Sequence, residues 1–410
     1  MIPRHNLPFG VGKILSSLVS TTPAISSTDL EKTFADTLGV PTVVLLPSVR
    51  AGIHMAIQAK NEPNATVVGP AYTCDAVHDA LTLSGACTRL VDLAPDSFLM
   101  PPEGIADATE PGCALVLSEV YGIPYEQEML QDGYRKGPRV RILDMAMSMP
   151  TPERMQRLEA RDVALFSFAW GKPMYAGWGG IACFQDSELA GRVREIRDRW
   201  STPGSLRLRL RRSCSLLLRV AMNERHLYGV SHERHFYRLY KAASSLWSHQ
   251  GRTSPTSAPV LPFATHRGKK ALPLEWTLPT TDLNRRLALH NLRTSGQNAE
   301  LRRRQAEIYS KYLVASGIVR GPQSNALPQS HFPIRLPSSV RDKMCDYLRG
   351  CGIDTSTLFP FPIGLSRDCY PKAAEAADEV VTLPLGPTVG LHEVQMVSRC
   401  VKEGLRTLGL

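Results

Sequence analysis

The fold is decided by Val163-Ala164-Leu165-Phe166-Ser167-Phe168-Ala169-Trp170-Gly171-Lys172, followed by Gly177-Trp178-Gly179-Gly180-Ile181-Ala182-Cys183-Phe184. A continuous apolar run reads as a strand covered on both faces, and here it runs out at a serine. A lone lysine lies five positions beyond that serine, and a glycine cluster opens the next strand. Upstream, Val140-Arg141-Ile142-Leu143 reads as another strand, with Asp144 at its end. Taken singly, a loop lysine is a solvated surface group and a strand-end aspartate a helix N-cap. Their order on successive strands gives them weight.

The neighbouring sequence repeats this pattern. Residues 26–39 read as a capped helix, with Ser26 to Asp29 at its start, Leu30, Phe34 and Leu38 on one face, and Gly39 at its stop. Val40 to Leu46 is a strand, and Pro47-Ser48 begins a helix through Ile53 and Ile57. Further strands are predicted at 66–68, 88–91, 114–118, 140–143, 163–168 and 181–184, with helices at Asp75–Leu83 and Met129–Arg135 among them. Apolar strands alternating with helices predict an α/β fold with a mainly parallel sheet covered on both faces. Ligands on such sheets bind beyond the carboxyl ends of the strands, where Ser48, Tyr72, Tyr121, Asp144, Ser167 and Lys172 fall. Downstream, 187–200 reads as a charged helix and Thr281 to about Val314 as another. The C-terminal region has strands at His331–Leu336 and Val380–Leu383 and helices at Val340–Arg349 and Leu391–Leu405.

The chain has 410 residues, which suits a large domain plus a smaller one. We expect a large ligand-binding α/β domain over 1–200, a basic insertion and linker over 201–280, and a helix with a smaller α+β domain over 281–410. Nine cysteines without C-x-x-C pairs or zinc spacing fit reduced thiols, and the N-terminus lacks a secretory layout; a cytoplasmic protein is expected. The net charge of +10 is uneven: Ser201 to Lys270 carries 13 Lys/Arg against Glu224 and Glu233, so the remainder sums to −1. The basicity belongs to one segment and says something about that segment.

An acid, a hydroxyl and a lysine at strand–loop junctions are what a pyridoxal 5′-phosphate site needs. The lysine forms a Schiff base, and the acid keeps the pyridine nitrogen protonated. The ordered residues also resemble a known family, the DegT/DnrJ/EryC1/StrS aminotransferases of fold type I. The resemblance is carried by Leu38-Gly39-Val40, Pro47 to Gly52, Pro70-Ala71-Tyr72-Thr73, Gly85-Ala86, Val91-Asp92, Tyr121-Gly122, Asp144, Ser167-Phe168, Lys172, Gly177-x-Gly179-Gly180, Gly352-Ile353 and Leu383-Pro384-Leu385. It implies a pyridoxal-phosphate-dependent homodimer that transfers an amino group, typically from glutamate, to a keto sugar or related polar metabolite. In that reading Lys172 is the Schiff-base lysine and proton shuttle, and Asp144 the partner of the ring nitrogen. Ser167, Ser48, the Val49 and Arg50 amides and Tyr72 complete the cofactor-binding set, with Arg50 either a direct charge on the phosphate or a surface arginine.

Three departures from the family pattern bear on function. Cys74 stands where a ring-stacking aromatic is usual, leaving Tyr72 or another ring to substitute. Met147 replaces a polar residue. The stretch Glu275-Trp276-Thr277-Leu278-Pro279 lacks the asparagine and arginine that normally reach a partner subunit's site. The alternatives are therefore a dehydratase or lyase on the same scaffold, against which Lys172 speaks, or a cofactor-binding protein of reduced activity. The basic segment, with Arg207, Arg209, Arg211, Arg212 and Arg219 among leucines, reads as a device for an acidic membrane surface or carrier protein, or as a solvated helix pair packed on the dimer. Specific nucleic-acid binding has no accompanying signature.

Overall fold

The computed structural model describes residues 1–409 except 61–65, 126–136, 203, 232–272, 274–275, 323–326 and 363. The helix expected at Met129–Arg135 and most of the basic segment therefore lie outside the described residues. The strands are β1 (Thr42–Leu46), β2 (Thr66–Pro70), β3 (Cys87–Val91), β4 (Ala114–Ser118), β5 (Val140–Asp144), β6 (Asp162–Ser167), β7 (Gly180–Phe184), β8 (His331–Arg335) and β9 (Val380–Pro384). The helices begin with α1 (Val11–Leu18), α2 (Ser27–Leu38), α3 (Val49–Ala59), α4 (Asp75–Leu83), α5 (Pro102–Ala108), α6 (Pro152–Met155) and α7 (Ser187–Trp200). They continue with α8 (Leu206–Asn223), α9 (Arg225–Ser231), α10 (Asp282–Arg293), α11 (Ser295–Tyr309), α12 (Ser338–Gly350), α13 (Pro371–Glu379) and α14 (Leu391–Thr407).

The first seven strands form one sheet in the order β1-β7-β6-β5-β4-β2-β3. All neighbours are parallel except β7, which runs antiparallel to both β1 and β6. Strands β1, β2, β4, β5 and β6 therefore share a direction, and their carboxyl ends lie along one edge. Register places Ser118 opposite Asp144 and Ser167 opposite Gly180 on that edge.

Both faces are covered because successive side chains point to opposite sides of a strand. Val43, Leu45, Ala164 and Phe166 join a core with Phe34 of α2 and Leu287 of α10. Val44, Leu46, Val163 and Leu165 join a second core with Ile53 and Ile57 of α3. Each such side chain, fully buried, contributes roughly 1.5–3 kcal/mol.

Local chemistry sets the helix ends as the sequence suggests. The Ser26 hydroxyl accepts the Asp29 N–H at 2.9 Å, and Gly39 closes α2 with φ +67°. The single helix expected from Thr281 to Val314 is instead broken at Thr294, whose hydroxyl bonds the His290 and Asn291 carbonyls and whose ψ is 3°. A β-branched hydroxyl residue that satisfies the preceding turn's carbonyls ends the helix there.

Strands β8 and β9 pair antiparallel and pack with α11, α12 and α14 in a separate C-terminal core. Ile2, at the opposite end of the chain, belongs to that core: its N–H donates to Gly352 O at 2.8 Å and its carbonyl accepts the Asp354 N–H at 3.0 Å. Among the described residues no helix is long and apolar enough to cross a membrane. None of the nine cysteines is in a disulfide.

Candidate active site

A cleft of about 640 Å³ opens at the shared carboxyl edge of the sheet. It is lined by Ser48, Val49 and Arg50 at the start of α3, by Ser118, Asp144 and Ser167 at three strand ends, and by Lys172. Six of the seven residues expected to bind the cofactor are thus brought together.

At one end stands the N-terminus of α3. The Ser48 hydroxyl caps it, accepting the Ala51 N–H at 3.2 Å, so its own proton remains free to donate. The N–H groups of Val49 and Arg50, in the first turn, have no carbonyl behind them to bond. With the helix dipole they favour a bound anion, and Arg50 adds a full positive charge to the same wall. Ser167, at the end of β6, has its oxygen fixed by the Ala169 N–H at 3.2 Å.

At the other end Asp144 is buried. Ser118 Oγ donates to its Oδ2 at 3.1 Å, and the Ala146 N–H to its Oδ1 at 3.2 Å. Burial dominates its titration and raises the carboxyl above its ordinary value; Lys172, the Ala146 N–H and Ser118 pull it back. A buried carboxylate with two hydrogen bonds and a cation nearby still lacks a full complement of partners, so it is set to receive a further donor from the cleft.

Lys172 is held from behind by a rigid turn. Gly171 has φ +75°, and a Cβ there would lie 2.8 Å from His5 Nδ1, so both conformation and space require glycine. The segment that follows is tied to α10: Asn291 Nδ2 donates to Tyr175 O and Asn284 Nδ2 to Ala176 O, each at 2.6 Å. Gly179, at φ +101°, brings the chain within van der Waals reach of Thr280 and Leu46 as it turns into β7. Behind Lys172 lies His331, pushed down to about 3 by burial and by the charges of Arg302 and Lys172. Neutral, it donates from Nε2 to Arg4 O at 3.0 Å and accepts the Ser330 hydroxyl at Nδ1, at 2.8 Å. His331 therefore adds no charge beside the lysine.

The seventh expected residue, Tyr72, is a correction. It does not line the cleft: it is fully buried, its hydroxyl 2.6 Å from that of Tyr121. The side chain turns into the core formed with Phe98 and Phe359. Among the described residues, the one aromatic ring in the cleft lining comes from Phe359, far away in the sequence. Phe359 and Tyr121 are in ring contact at 5.4 Å, and both have positive φ, 63° and 60°. For bulky residues such backbone is strained, and strain of this kind gathers at functional sites. No local signal marks Phe359 in the sequence.

Ser118 and Glu119 were also missed. Glu119 is buried, accepts the Ser148 hydroxyl at 2.5 Å and pairs with Arg154. Trp276, in the stretch that departs from the family pattern, is fully buried against His54 and packs into this chain's own core.

A sequence profile described as the DegT/DnrJ/EryC1/StrS aminotransferase family matches residues 11–207. Over that span, a little under half of the chain, the sequence is similar to this family. Solved structures agree on the fold. The aminotransferase TlmJ from Streptoalloteichus hindustanus superposes with a TM-score of 0.69 at 20% identity, with 100% of each chain covered. The sugar aminotransferase CalS13 from Micromonospora echinospora gives 0.67 at 18% identity, covering 98% of this chain and 100% of its own. NtdA from Bacillus subtilis, solved with bound cofactor PMP, gives 0.68 at 17% identity, covering 97% of this chain and 82% of its own. Apart from Phe359, the residues that line the cleft all lie within the span that carries the family match.

Proposed function

We propose that this chain is a pyridoxal-phosphate-dependent aminotransferase acting on a keto sugar or related polar metabolite, with glutamate as the expected amino donor. The observation that carries this reading is the polarity of the cleft. A helix N-terminus with two free N–H groups, two hydroxyls and an arginine stands at one end, a buried carboxylate at the other, and Lys172 shares the same lining. The donor set fits a phosphate at the first end and a protonated pyridine nitrogen at the second. The proteins TlmJ, CalS13 and NtdA, described as aminotransferases or bound to PMP, support the same class.

When bound, pyridoxal phosphate supplies an aldehyde that captures amines and a ring that stabilises negative charge on the α-carbon of the donor. This chain's residues do the rest. Ser48, Ser167, Arg50 and the Val49 and Arg50 amides would hold the phosphate. Asp144 would keep the ring nitrogen protonated through a charge-assisted hydrogen bond, oriented by Ser118 and the Ala146 N–H. Lys172 would supply the attachment amine and carry the proton to and from the α-carbon. Phe359 and Met147 add apolar surface to the lining.

The test is spectral. Purified protein incubated with pyridoxal phosphate is expected to develop a visible absorbance band that bleaches on adding glutamate. A band that no amino donor changes would favour elimination chemistry or binding alone, and no band at all would remove the cofactor from this site.

A further inference from the structure

Helix α8 buries only a narrow stripe, Leu216, Val220 and Asn223, at positions i, i+4 and i+7. Its outer side faces solvent and mixes leucines with arginines. Leu206 and Leu210 are 68% and 58% exposed, and Leu218 is 50% exposed. By helical spacing Leu206 and Leu210 share one line, and Arg207, Arg211 and Leu218 the adjoining one, while Leu217 packs against the core. The two lines make a continuous leucine–arginine surface along a helix of about 27 Å.

The neighbouring helices extend this character. Helix α1, packed beside α8, exposes Leu15 and Leu18 and is followed by the exposed Val19, and α9 exposes Leu227. The sequences of α1, α8 and α9 contain no aspartate or glutamate, against Lys13 and the arginines at 207, 209, 211, 212, 219 and 225. The nearest acid in the chain, Glu224, is turned inward to accept the Val11 N–H at the start of α1, at 3.0 Å. Arg225 pairs with Glu393, Arg212 stacks over the Trp178 ring at 4.9 Å, and Arg209 donates to Gly204 O at 3.2 Å. Arg207, Arg211 and Arg219 are exposed, with no carboxylate partner among the described residues.

We propose that this face docks on an anionic lipid surface, with α8 lying in the plane of the interface. Charge complementarity selects the occupant. A second copy of the same face would set arginine against arginine. An acidic peptide would pair the arginines but leave the interleaved leucines wet. A bilayer surface with anionic headgroups takes both at once: leucines enter the acyl boundary while arginine stems lie along it with their guanidinium groups among phosphates. Attraction from three unpaired arginines falls off within a Debye length, so docking weakens as salt rises.

The experiment is co-sedimentation of the full-length, cofactor-loaded protein with vesicles of phosphatidylcholine alone or mixed with phosphatidylserine, with molar mass followed by light scattering. The wild type is expected to sediment with the anionic vesicles and to be released by salt. Each arginine replaced in the series Arg207→Gln, Arg211→Gln and Arg219→Gln should weaken binding roughly fivefold. The combined variant Leu206→Ser, Leu210→Ser, Leu218→Ser should lose binding while its visible band and molar mass stay unchanged. Failure to sediment with anionic vesicles overturns the proposal. So does retention by both sets of variants. A fall in molar mass in the leucine variant would assign the face to a second copy of the chain and overturn it as well.

Discussion

The cleft and the face of α8 spend charge in opposite ways. In the cleft the buried carboxylates have partners within the fold: Asp144 has Ser118, the Ala146 N–H and nearby Lys172, and Glu119 has Ser148 and Arg154. On α8, Arg207, Arg211 and Arg219 stand in water beside exposed leucines. The difference follows from solvation. A charge removed from water destabilises the fold unless partners replace its hydration, so the cleft is tightly specified. A charge left in water needs no partner, and its position is free to serve something outside the molecule.

Substitutions test this contrast, beginning with the largest effect. Lys172→Ala should abolish the visible band and slow donor-driven turnover by about 10²–10⁴-fold or more, read from the rate at which glutamate is converted to its keto acid. If the band survived, the amine would lie elsewhere. Arg154→Met leaves Glu119 buried and unpaired and should destabilise the chain by about 3–5 kcal/mol in urea unfolding. A much smaller loss would mean that Glu119 reaches water and the cleft is less tightly specified than it looks.

Asp144→Asn separates function from stability. Turnover should fall by about 10²–10³-fold because the ring nitrogen loses its anionic partner. The sign for stability is the reverse. Burial raises this carboxyl, so its ionised form disfavours folding above the folded pKa, and that cost lifts as pH falls through it. Without cofactor, the asparagine variant should therefore be as stable as the parent at neutral pH or more so, by up to about 1 kcal/mol. Denaturation at two pH values reads this directly, and a variant much less stable than the parent would contradict it. Ser167→Ala should weaken cofactor retention by about 1 kcal/mol, measured by equilibrium dialysis. Smallest of all, Arg207→Gln should change unfolding stability by no more than about 0.5 kcal/mol, since nothing in the fold depends on its charge.

Most of the parallel sheet was legible in the sequence because a strand covered on both faces must be apolar throughout, which leaves an uninterrupted run. Strands ending at Leu46, Ser118, Asp144 and Ser167 follow from such runs. The placement of Ser48 was legible as well, since a hydroxyl before a helical pattern caps it. Tyr72 was misplaced because proximity along the chain says that a residue lies near the edge but not which way its ring turns. Packing against Phe98 and the hydroxyl of Tyr121 turned it inward. The break at Thr294 was hidden because apolar spacing continues through it, while the hydroxyl that ends the helix acts on its own backbone.

By itself the sequence determined the alternation of strands and helices, the chemical identity of the groups at the strand ends and the location of the basic segment. These depend on residues close together in the chain, where periodicity and capping act. Only the tertiary structure decided that Phe359 lines the cleft, that His331 lies neutral behind Lys172, and that α8 turns leucines and arginines together to solvent. Each of these depends on which distant surfaces compete to be buried, and that competition is settled by the whole fold rather than by any one segment.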